Sequence, residues 1–294
     1  MRNALPLWLQ NISESLDPAL YARRVGFDPY EWQTKALDPT RHRIALLSAR
    51  QVGKSTVVAV RAVHTAIFHP RSLIIIVSPS QQQSRELMIK IEDVLAMDGT
   101  LQMENDAAFE KVFTNKSRIV ALPGTERSTR GYSNPKLIII DEAARVLDET
   151  YKALRPMMVG GKTDLILLTT PFGKRGFFHK VWEDTAERWT KIEVPAAWRL
   201  VNGELLVPEP EQQYRARRAK KGILGFYSPR HTEAFMREEL EEMKDSAWFN
   251  QEYGVEFVDP EGGLFDMDAV LESLDESTSM LDLDEIRDAQ ELEV

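Results

Sequence analysis

No cysteine occurs among the 294 residues, which excludes disulfides, thiolate nucleophiles and thiolate zinc sites. Histidine is nearly as scarce: five scattered residues show no metal-ligand spacing, so a histidine-built metal centre is not expected. Long apolar runs are missing too. The longest, about Leu73 to Val77, falls far short of the ~20 residues of a membrane-spanning helix. The first residues also lack the pattern of a secretory signal. The expectation is a cytosolic protein with no membrane association.

Charge is not lacking but is unevenly spread. Residues 231–294 carry 3 Lys and Arg against 21 Asp and Glu, whereas residues 1–230 carry 34 against 25. The total of −9 therefore divides into a body at +9 and a tail at −18. A basic body suits a polyanion such as nucleic acid, although an excess of this size is also what a solvated surface carries. With 43% apolar and 28% charged residues, the chain can bury one substantial core with a small second unit beside it.

One more absence marks the most informative stretch. Ser48-Ala49-Arg50-Gln51-Val52-Gly53-Lys54-Ser55-Thr56 follows the apolar run Ile44–Leu47 and precedes Val57–Val60. A buried strand thus passes through a polar loop into a helix, the context of a phosphate-binding loop. The usual first glycine is replaced by Ser48. In such a loop backbone N–H groups face an anion above the positive end of a helix dipole. Gly53 permits close approach, Lys54 can reach β- and γ-phosphate oxygens, and the Ser55 hydroxyl can ligate Mg²⁺. A bare Gly-Lys-Ser is often only a turn; the flanking strand and helix, and a partner motif downstream, argue otherwise.

That partner is Lys136-Leu137-Ile138-Ile139-Ile140-Asp141-Glu142-Ala143, an apolar strand delivering two carboxylates at its C-terminal end, where open α/β sheets bind ligands. Asp141 can hold Mg²⁺ and Glu142 can orient or deprotonate an attacking water. The plainer alternative is a pair of helix-capping acids. The next strand, Asp164–Thr170, ends in Thr169, Thr170 and Pro171, with hydroxyls suited to sensing a γ-phosphate or simply to closing a turn. Upstream, Trp32 and Gln33 could flank an adenine, the amide matching its ring edge; Trp32 taken alone reads as core.

Elsewhere the pattern alternates. Residues 1–40 read as a helical leader, with Asp17-Pro18 opening a helix. A helix over 54–69 ends at Pro70, Ser72–Val77 is a buried strand, and 81–97 is helical. Residues 112–113 and 118–122 form a hairpin. Residues 174–187 are a helix and 189–194 a fifth strand. The implied fold is a doubly wound, mostly parallel sheet. Beyond residue 200 the pattern weakens: Leu206–Pro210 reads as a linker. Arg215, Arg217, Arg218, Lys220 and Lys221 are either a phosphate grip or a solvated face. Residues 232–250 form one amphipathic helix with Trp248 among its apolar positions. The expected organisation is a core over 1–200, a small helical lid or linker over 201–260, and an acidic tail over 261–294 that frays.

Together, Ser48–Ala59, Leu137–Ala143 and Leu167–Gly173 resemble the large-terminase family, the DNA-packaging motors of tailed double-stranded DNA phages. The Ser/Arg-type loop without its first glycine is a habit of that family. The stretch Ala121–Gly131, containing Arg127 and Arg130, and the stretch Asn250–Phe257 also resemble family segments, the latter closing the ATPase region. The resemblance implies a P-loop ATPase of the RecA/ASCE-like type that uses ATP and Mg²⁺. It assigns the nucleotide to Ser48 through Thr56 with Trp32 and Gln33, and the metal to Ser55 and Asp141. It gives catalysis to Glu142, Lys54 and Arg50, coupling to Thr169, Thr170 and Pro171, and an arginine supplied to the neighbouring subunit to Arg130, with Arg127 as competitor. Implied partners are double-stranded DNA, the portal of a phage procapsid, the small terminase subunit and further copies of the chain. Those copies would assemble as a ring, a pentamer by resemblance, from chains able to exist as monomers. The setting is the bacterial host cytoplasm, with transient docking on the portal. Only roughly 35 residues follow Phe257, too few for the family's nuclease domain, so nuclease activity is not expected. Two rivals fit the same motifs: a helicase-like translocase, and a nucleotide-gated DNA- or portal-docking module.

Overall fold

The computed structural model describes residues 7–123, 131–160, 162–201, 204–206, 209–243 and 246–258; all statements below concern these. The expected arginines Arg127 and Arg130 and the acidic tail lie outside them.

Three short helices lead in: α1 (Leu7–Leu16), α2 (Pro18–Arg24) and α3 (Glu31–Leu37). Asp17 caps α2, its side chain accepting the Ala19 N–H at 2.9 Å, with Pro18 in the first turn, as the Asp-Pro signature predicts. Then β1 (Arg43–Ser48), α4 (Lys54–Phe68), β2 (Leu73–Ser78) and α5 (Gln81–Asp98) follow. Ser80 caps α5 at its start, and Gly99, in the left-handed region, ends it. Strands β3 (Met103–Ala107), β4 (Glu110–Phe113) and β5 (Arg118–Pro123) form an antiparallel set, of which the sequence foretells only the β4–β5 hairpin.

The second half contains β6 (Leu137–Asp141), α6 (Asp148–Leu154), β7 (Asp164–Thr169), α7 (Gly176–Glu183) and β8 (Thr190–Val194). A small hairpin, β9 (Arg199–Val201) with β10 (Glu204–Leu206), forms where a linker is expected to begin. Next come α8 (Glu211–Ala219) and β11 (Ile223–Gly225). The anticipated single helix over 232–250 is instead two, α9 (Glu233–Met243) and α10 (Ser246–Glu252).

Nine strands make one sheet in the order β11-β8-β1-β7-β6-β2-β5-β4-β3. Every pairing from β11 to β5 is parallel. In β6 and β7 every residue is buried, and in β1 every one after Arg43. Side chains alternate between faces, so unbroken burial means that both faces of the sheet are covered. The chain leaves β1 for β2 three places away on one side and later returns to add β8 on the other. The strand order therefore reverses at β1, the switch point outside which α/β sheets bind ligands. At the opposite end of the strands the Arg61 guanidinium of α4 is buried against Asp164 at 3.1 Å and the Leu37 carbonyl at 2.9 Å, fixing α4 to the start of β7. Among the described residues no helix is long and apolar enough to cross a membrane.

The arginines of α8 do not form a free basic grip. Arg215 pairs with Glu31 through two contacts of 3.0 and 2.8 Å and with Glu211, Arg217 pairs with Glu209, and Arg218 pairs with buried Glu193. These pairs dock α8 onto α3 and β8. Gly225 permits the close approach, since a Cβ there would lie 2.8 Å from the Tyr214 ring.

Candidate active site

The loop leaving β1 is pinned on both sides. The Ala49 N–H donates to Val194 of β8 at 2.9 Å, and the Arg50 N–H donates to the Glu252 carbonyl of α10 at 3.1 Å. Gln51 (φ 56°) and Gly53 (φ 92°) take left-handed conformations that turn the chain into α4. Glycine is required at 53 on a second count: a Cβ would come within 3.2 Å of Gln33 Nε2 and 3.7 Å of the Arg230 guanidinium. Ser48 explains the missing first glycine. It is the buried last residue of β1, paired with Val194 and free of positive φ, so nothing at that position demands a glycine.

Lys54 opens α4 and is only 9% exposed. Its Nζ lies 2.9 Å from Glu142 Oε1, although 88 residues of chain separate them. Asp141 ends β6, 6% exposed, and its Oδ1 accepts the Glu142 N–H at 3.0 Å. Glu142 has φ 48° and ψ 46°, a conformation that costs a non-glycine residue of order 1 kcal/mol or more and here sets its carboxylate against Lys54. The Thr170 hydroxyl donates to Glu142 Oε2 at 3.4 Å. Thr169 Oγ1 is 3.3 Å from the same oxygen but 2.6 Å from the Thr170 carbonyl, to which its single proton goes, and it accepts the Ala144 N–H at 3.3 Å. Pro171 is buried directly behind them.

These contacts tune the acids in opposite directions. Burial, reinforced by Glu142, raises Asp141 to about 6. Burial would raise Glu142 as well, but the Lys54 ammonium, assisted by Arg145, holds it below the usual carboxylate range. Glu142 is thus ionised at neutral pH, while Asp141 is a buried acid short of a cation.

A cleft of ≈ 460 Å³ opens onto Lys54, Glu142 and Thr170, with Arg50, Arg145 and Trp248 on its walls. A larger hollow of ≈ 750 Å³ lies between Gly131–Asn134 and Glu149–Val159; it contains neither the loop nor the acids, so its size carries no chemical weight. Of the nucleotide candidates, the structure brings Gln33 to the loop. Its Oε1 accepts the Tyr30 N–H at 2.8 Å, and its buried Nε2 has no partner. Trp32 differs: at 1% exposure it is core, because the helix that turns Gln33 toward Gly53 turns the neighbouring indole into the interior. Arg50 stays at the rim, its Nε 3.5 Å from Glu252 Oε2. Ser55 and Thr56 sit half-buried in the first turn of α4.

Sequence reasoning missed Gln83, Arg145, Phe172, Gln251, Glu252 and Arg230 near this site. It placed Trp248 in an apolar helix face, yet Trp248 is 48% exposed, lines the cleft and donates its indole N–H to Glu252 at 3.3 Å. The advance signals were the Asn250–Phe257 stretch for Gln251 and Glu252 and the Leu167–Gly173 stretch for Phe172, both noted for their resemblance and not for their chemistry.

Residues 45–271 match the family model described as terminase large subunit, T4likevirus-type, N-terminal. The chain belongs to this large-terminase family. Among solved structures it is similar to the large terminase ATPase domain of Thermus phage P74-26, with a TM-score of 0.59 and 18% identity over 81% of this chain and 97% of that one. It also resembles the large terminase of another thermophilic bacteriophage, with a TM-score of 0.55 and 13% identity over 82% of this chain and 57% of that one. The same phage's large terminase in complex with ATP-gamma-S matches with a TM-score of 0.50 and 11% identity over 78% and 53%. The terminase chain described here thus spans nearly all of the P74-26 domain and a little over half of each chain from the second phage. At these identities the likeness concerns the fold: a mostly parallel nine-stranded sheet of the P-loop, ASCE-like type.

Proposed function

We propose that this terminase region binds ATP in the Lys54–Glu142 cleft, hydrolyses it with Mg²⁺, and uses the cycle to drive double-stranded DNA into a phage procapsid. The observation that carries the reading is the 2.9 Å approach of Lys54 to Glu142 at the C-terminal rim of the sheet, where the switch point of the strand order also falls.

The donor set fits Mg²⁺. This ion keeps several waters and uses one or two protein oxygens plus phosphates, not an all-protein cage. One hydroxyl, Ser55, and one buried carboxylate without a cation, Asp141, meet that need, and among the described residues there is no cluster of three or more acidic or histidine ligands. When bound, the ion would neutralise charge developing on the β- and γ-phosphate oxygens.

The chain's own residues then act as follows. Lys54 exchanges Glu142 for phosphate oxygens, and the loop N–H groups of Gln51 through Lys54 surround the β-phosphate. Glu142, freed of Lys54 and already ionised, accepts the proton of a water aligned with the γ-phosphate. Thr170, hydrogen-bonded to Glu142, and Thr169 beside it carry phosphate loss into the loop ending at Pro171. Gln33 Nε2 donates to the adenine edge. Arg130, with Arg127 as competitor, enters the neighbouring subunit's cleft in a ring, with the portal and the small terminase subunit as further partners in the host cytoplasm. Residues 201–260 serve as lid and linker.

The test is steady-state hydrolysis by Glu142→Gln and Lys54→Ala, with nucleotide binding measured in parallel. Glu142→Gln should retain binding and lose about 10²- to 10⁴-fold in kcat, the range for a general base; Lys54→Ala should lose both. Turnover like wild type in both variants would refute the assignment. Specific activity should rise with protein concentration and lose that rise in Arg130→Ala; strictly linear activity at all concentrations would remove the shared arginine.

A further inference from the structure

The sheet has a second rim, at the N-terminal ends of its strands and away from the nucleotide cleft, and the proposed chemistry leaves it unused. Four adjacent strands, in the order β1-β7-β6-β2, begin there, and each brings a cation. Arg43 starts β1, Lys162 lies two residues before β7, Lys136 directly precedes β6, and Arg71 lies two residues before β2. Backbone bonds hold these starts in line: the Leu165 N–H donates to the His42 carbonyl at 2.8 Å, the Asp164 N–H to Lys136 at 3.0 Å, and the Lys136 N–H to Leu73 at 2.8 Å. Arg43, Arg71 and Lys162 are exposed and Lys136 is half-buried. Among the described residues none of the four has an ion-pair or side-chain hydrogen-bond partner. The carboxylate within the row, Asp164, is taken by Arg61 and His42. On both flanks the cations are matched: Arg118 with Glu110 and Lys116 with Glu104 toward β5, Arg41 with Asp38 and Arg188 with Asp184 toward β8. Arg71 is set apart again by its φ of 65°, in the left-handed region where glycine is the unstrained choice. No contact of its side chain within the described residues accounts for an arginine there.

Neighbouring strands lie about 4.8 Å apart, so the four starts span roughly 14 Å. Duplex DNA presents a phosphate every 3.4 Å or so of axis on each strand, about four over that length, as many as there are free cations in the row. None of the large exposed apolar side chains among the described residues falls in segments 41–43, 69–73, 134–137 or 162–165, whereas a protein–protein contact is built around an apolar core. We infer that Arg43, Lys162, Lys136 and Arg71 form a sequence-independent contact for the phosphate backbone of double-stranded DNA, on the rim of the sheet opposite the nucleotide cleft. The inference rests on the proposed role of DNA as the polymer moved, and it names the surface that meets it. Three of the four strands also end at the proposed chemistry: β1 at Ser48, β6 at Asp141 and β7 at Thr169. The same rigid strands therefore carry the DNA contact at one end and the nucleotide at the other.

The experiment measures binding of the full chain to a short labelled DNA duplex, in two unrelated sequences, by fluorescence anisotropy over a series of salt concentrations. Wild type is compared with a row variant carrying Arg43→Gln, Arg71→Gly, Lys136→Gln and Lys162→Gln. A control of equal charge change carries Arg217→Gln, Lys220→Gln, Lys221→Gln and Arg237→Gln, in and after α8 and on α9. The row variant should lower the slope of log K against log salt by about 3–4, near 0.9 per lost phosphate contact, and weaken binding about 100-fold or more at 0.1 M salt, for both sequences alike. The control should stay within about twofold of wild type. Arg71→Gly alone suits the backbone conformation at that position and should lower the slope by about 1, so a folding defect in the fourfold variant does not remove the test. Equal losses in the row variant and the control would mean that only net charge is read. Unchanged slopes in the row variant and in Arg71→Gly are the outcome for a rim that meets an acidic protein instead. Either result would overturn the inference and leave DNA as a partner. Failure of wild type to bind the duplex at low salt would overturn the inference and the proposed DNA role together.

Discussion

Replacing Asp141 with asparagine should make the nucleotide-free protein more stable while disabling its chemistry. Asp141 is raised to about 6 by burial and by Glu142 beside it, against an ordinary value of 3.8. An acid whose folded pKa exceeds its unfolded one favours the fold only while protonated. Its contribution is complete below pH 3.8 and is lost as pH rises through about 6. At neutral pH the ionised group therefore costs roughly 2 pKa units, or about 3 kcal/mol. Glu142 shares the same local charge, so about 1–3 kcal/mol is the working range. Asparagine keeps the acceptor for the Glu142 N–H and carries no charge. For a protein of this size each kcal/mol moves Tm by about 2–4 °C, so Asp141→Asn should melt about 3–10 °C higher at pH 7.5, with the gap closing near pH 4. Circular dichroism melts in chelator from pH 4 to 8 would measure this, alongside hydrolysis, which should collapse. Saturating wild type with Mg²⁺ and nucleotide should narrow the gap, since ligand binding stabilises only the protein that retains the site. An unchanged or lowered Tm at pH 7.5, or a gap that persists at pH 4, would refute the reasoning that the acidic pair is a stored charge awaiting a cation.

Two further outcomes concern the rest of the fold. Asp164→Ala leaves the Arg61 guanidinium, whose side chain is 6% exposed, without its counter-charge and should cost about 3–5 kcal/mol in urea unfolding; Arg61→Met combined with Asp164→Leu should recover most of it, and a loss below about 1 kcal/mol would refute the role given to the pair. His64 is packed between Tyr21 and Phe68, with Nε2 2.9 Å from the Glu14 carbonyl, and burial, reinforced by Arg61 and His69, pushes it down to about 4 from 6.5. Because the unfolded chain takes up that proton first, His64 should contribute full stability above pH 6.5 and lose up to about 3 kcal/mol as pH falls to 4; His64→Gln should flatten this slope, and parallel wild-type and variant curves would contradict it.

The parts of the candidate site legible in the sequence were those carried by consecutive residues. Ser48–Thr56 and Asp141–Glu142 each combine a buried strand with polar residues at its C-terminal end, and a parallel sheet brings such ends to one rim whatever the chain length between them. Gln33 was legible as a residue type, but that its neighbour Trp32 faces the core depends on how α3 is rotated. Residues such as Arg145, Arg230 and Glu252 reach the cleft singly from unrelated segments, and nothing in their local spacing sets them apart from surface charges. The arginines of α8 show the converse. Their clustering suggested a phosphate grip, but acids far away in sequence, Glu31 and Glu193, neutralise two of them. Trp248 was misplaced because an indole at helical spacing reads as core, while the carboxylate that draws it to the cleft lies one turn on.

The two margins of the sheet bear on how copies of this chain can associate. One ends in β3, every residue exposed and carrying Glu104 and Asp106; the other ends in β11, only three residues long and closed over by α8. Along β3, Glu104 is paired with Lys116 and Asp106 with Lys111, charged pairs that a second strand laid alongside would have to desolvate, and β11 is too brief to template a neighbour. Assembly by extending the sheet from chain to chain is thus disfavoured at both margins, which leaves loops and helix faces to make the joints and lets each copy tilt against the next without tearing a hydrogen-bond ladder.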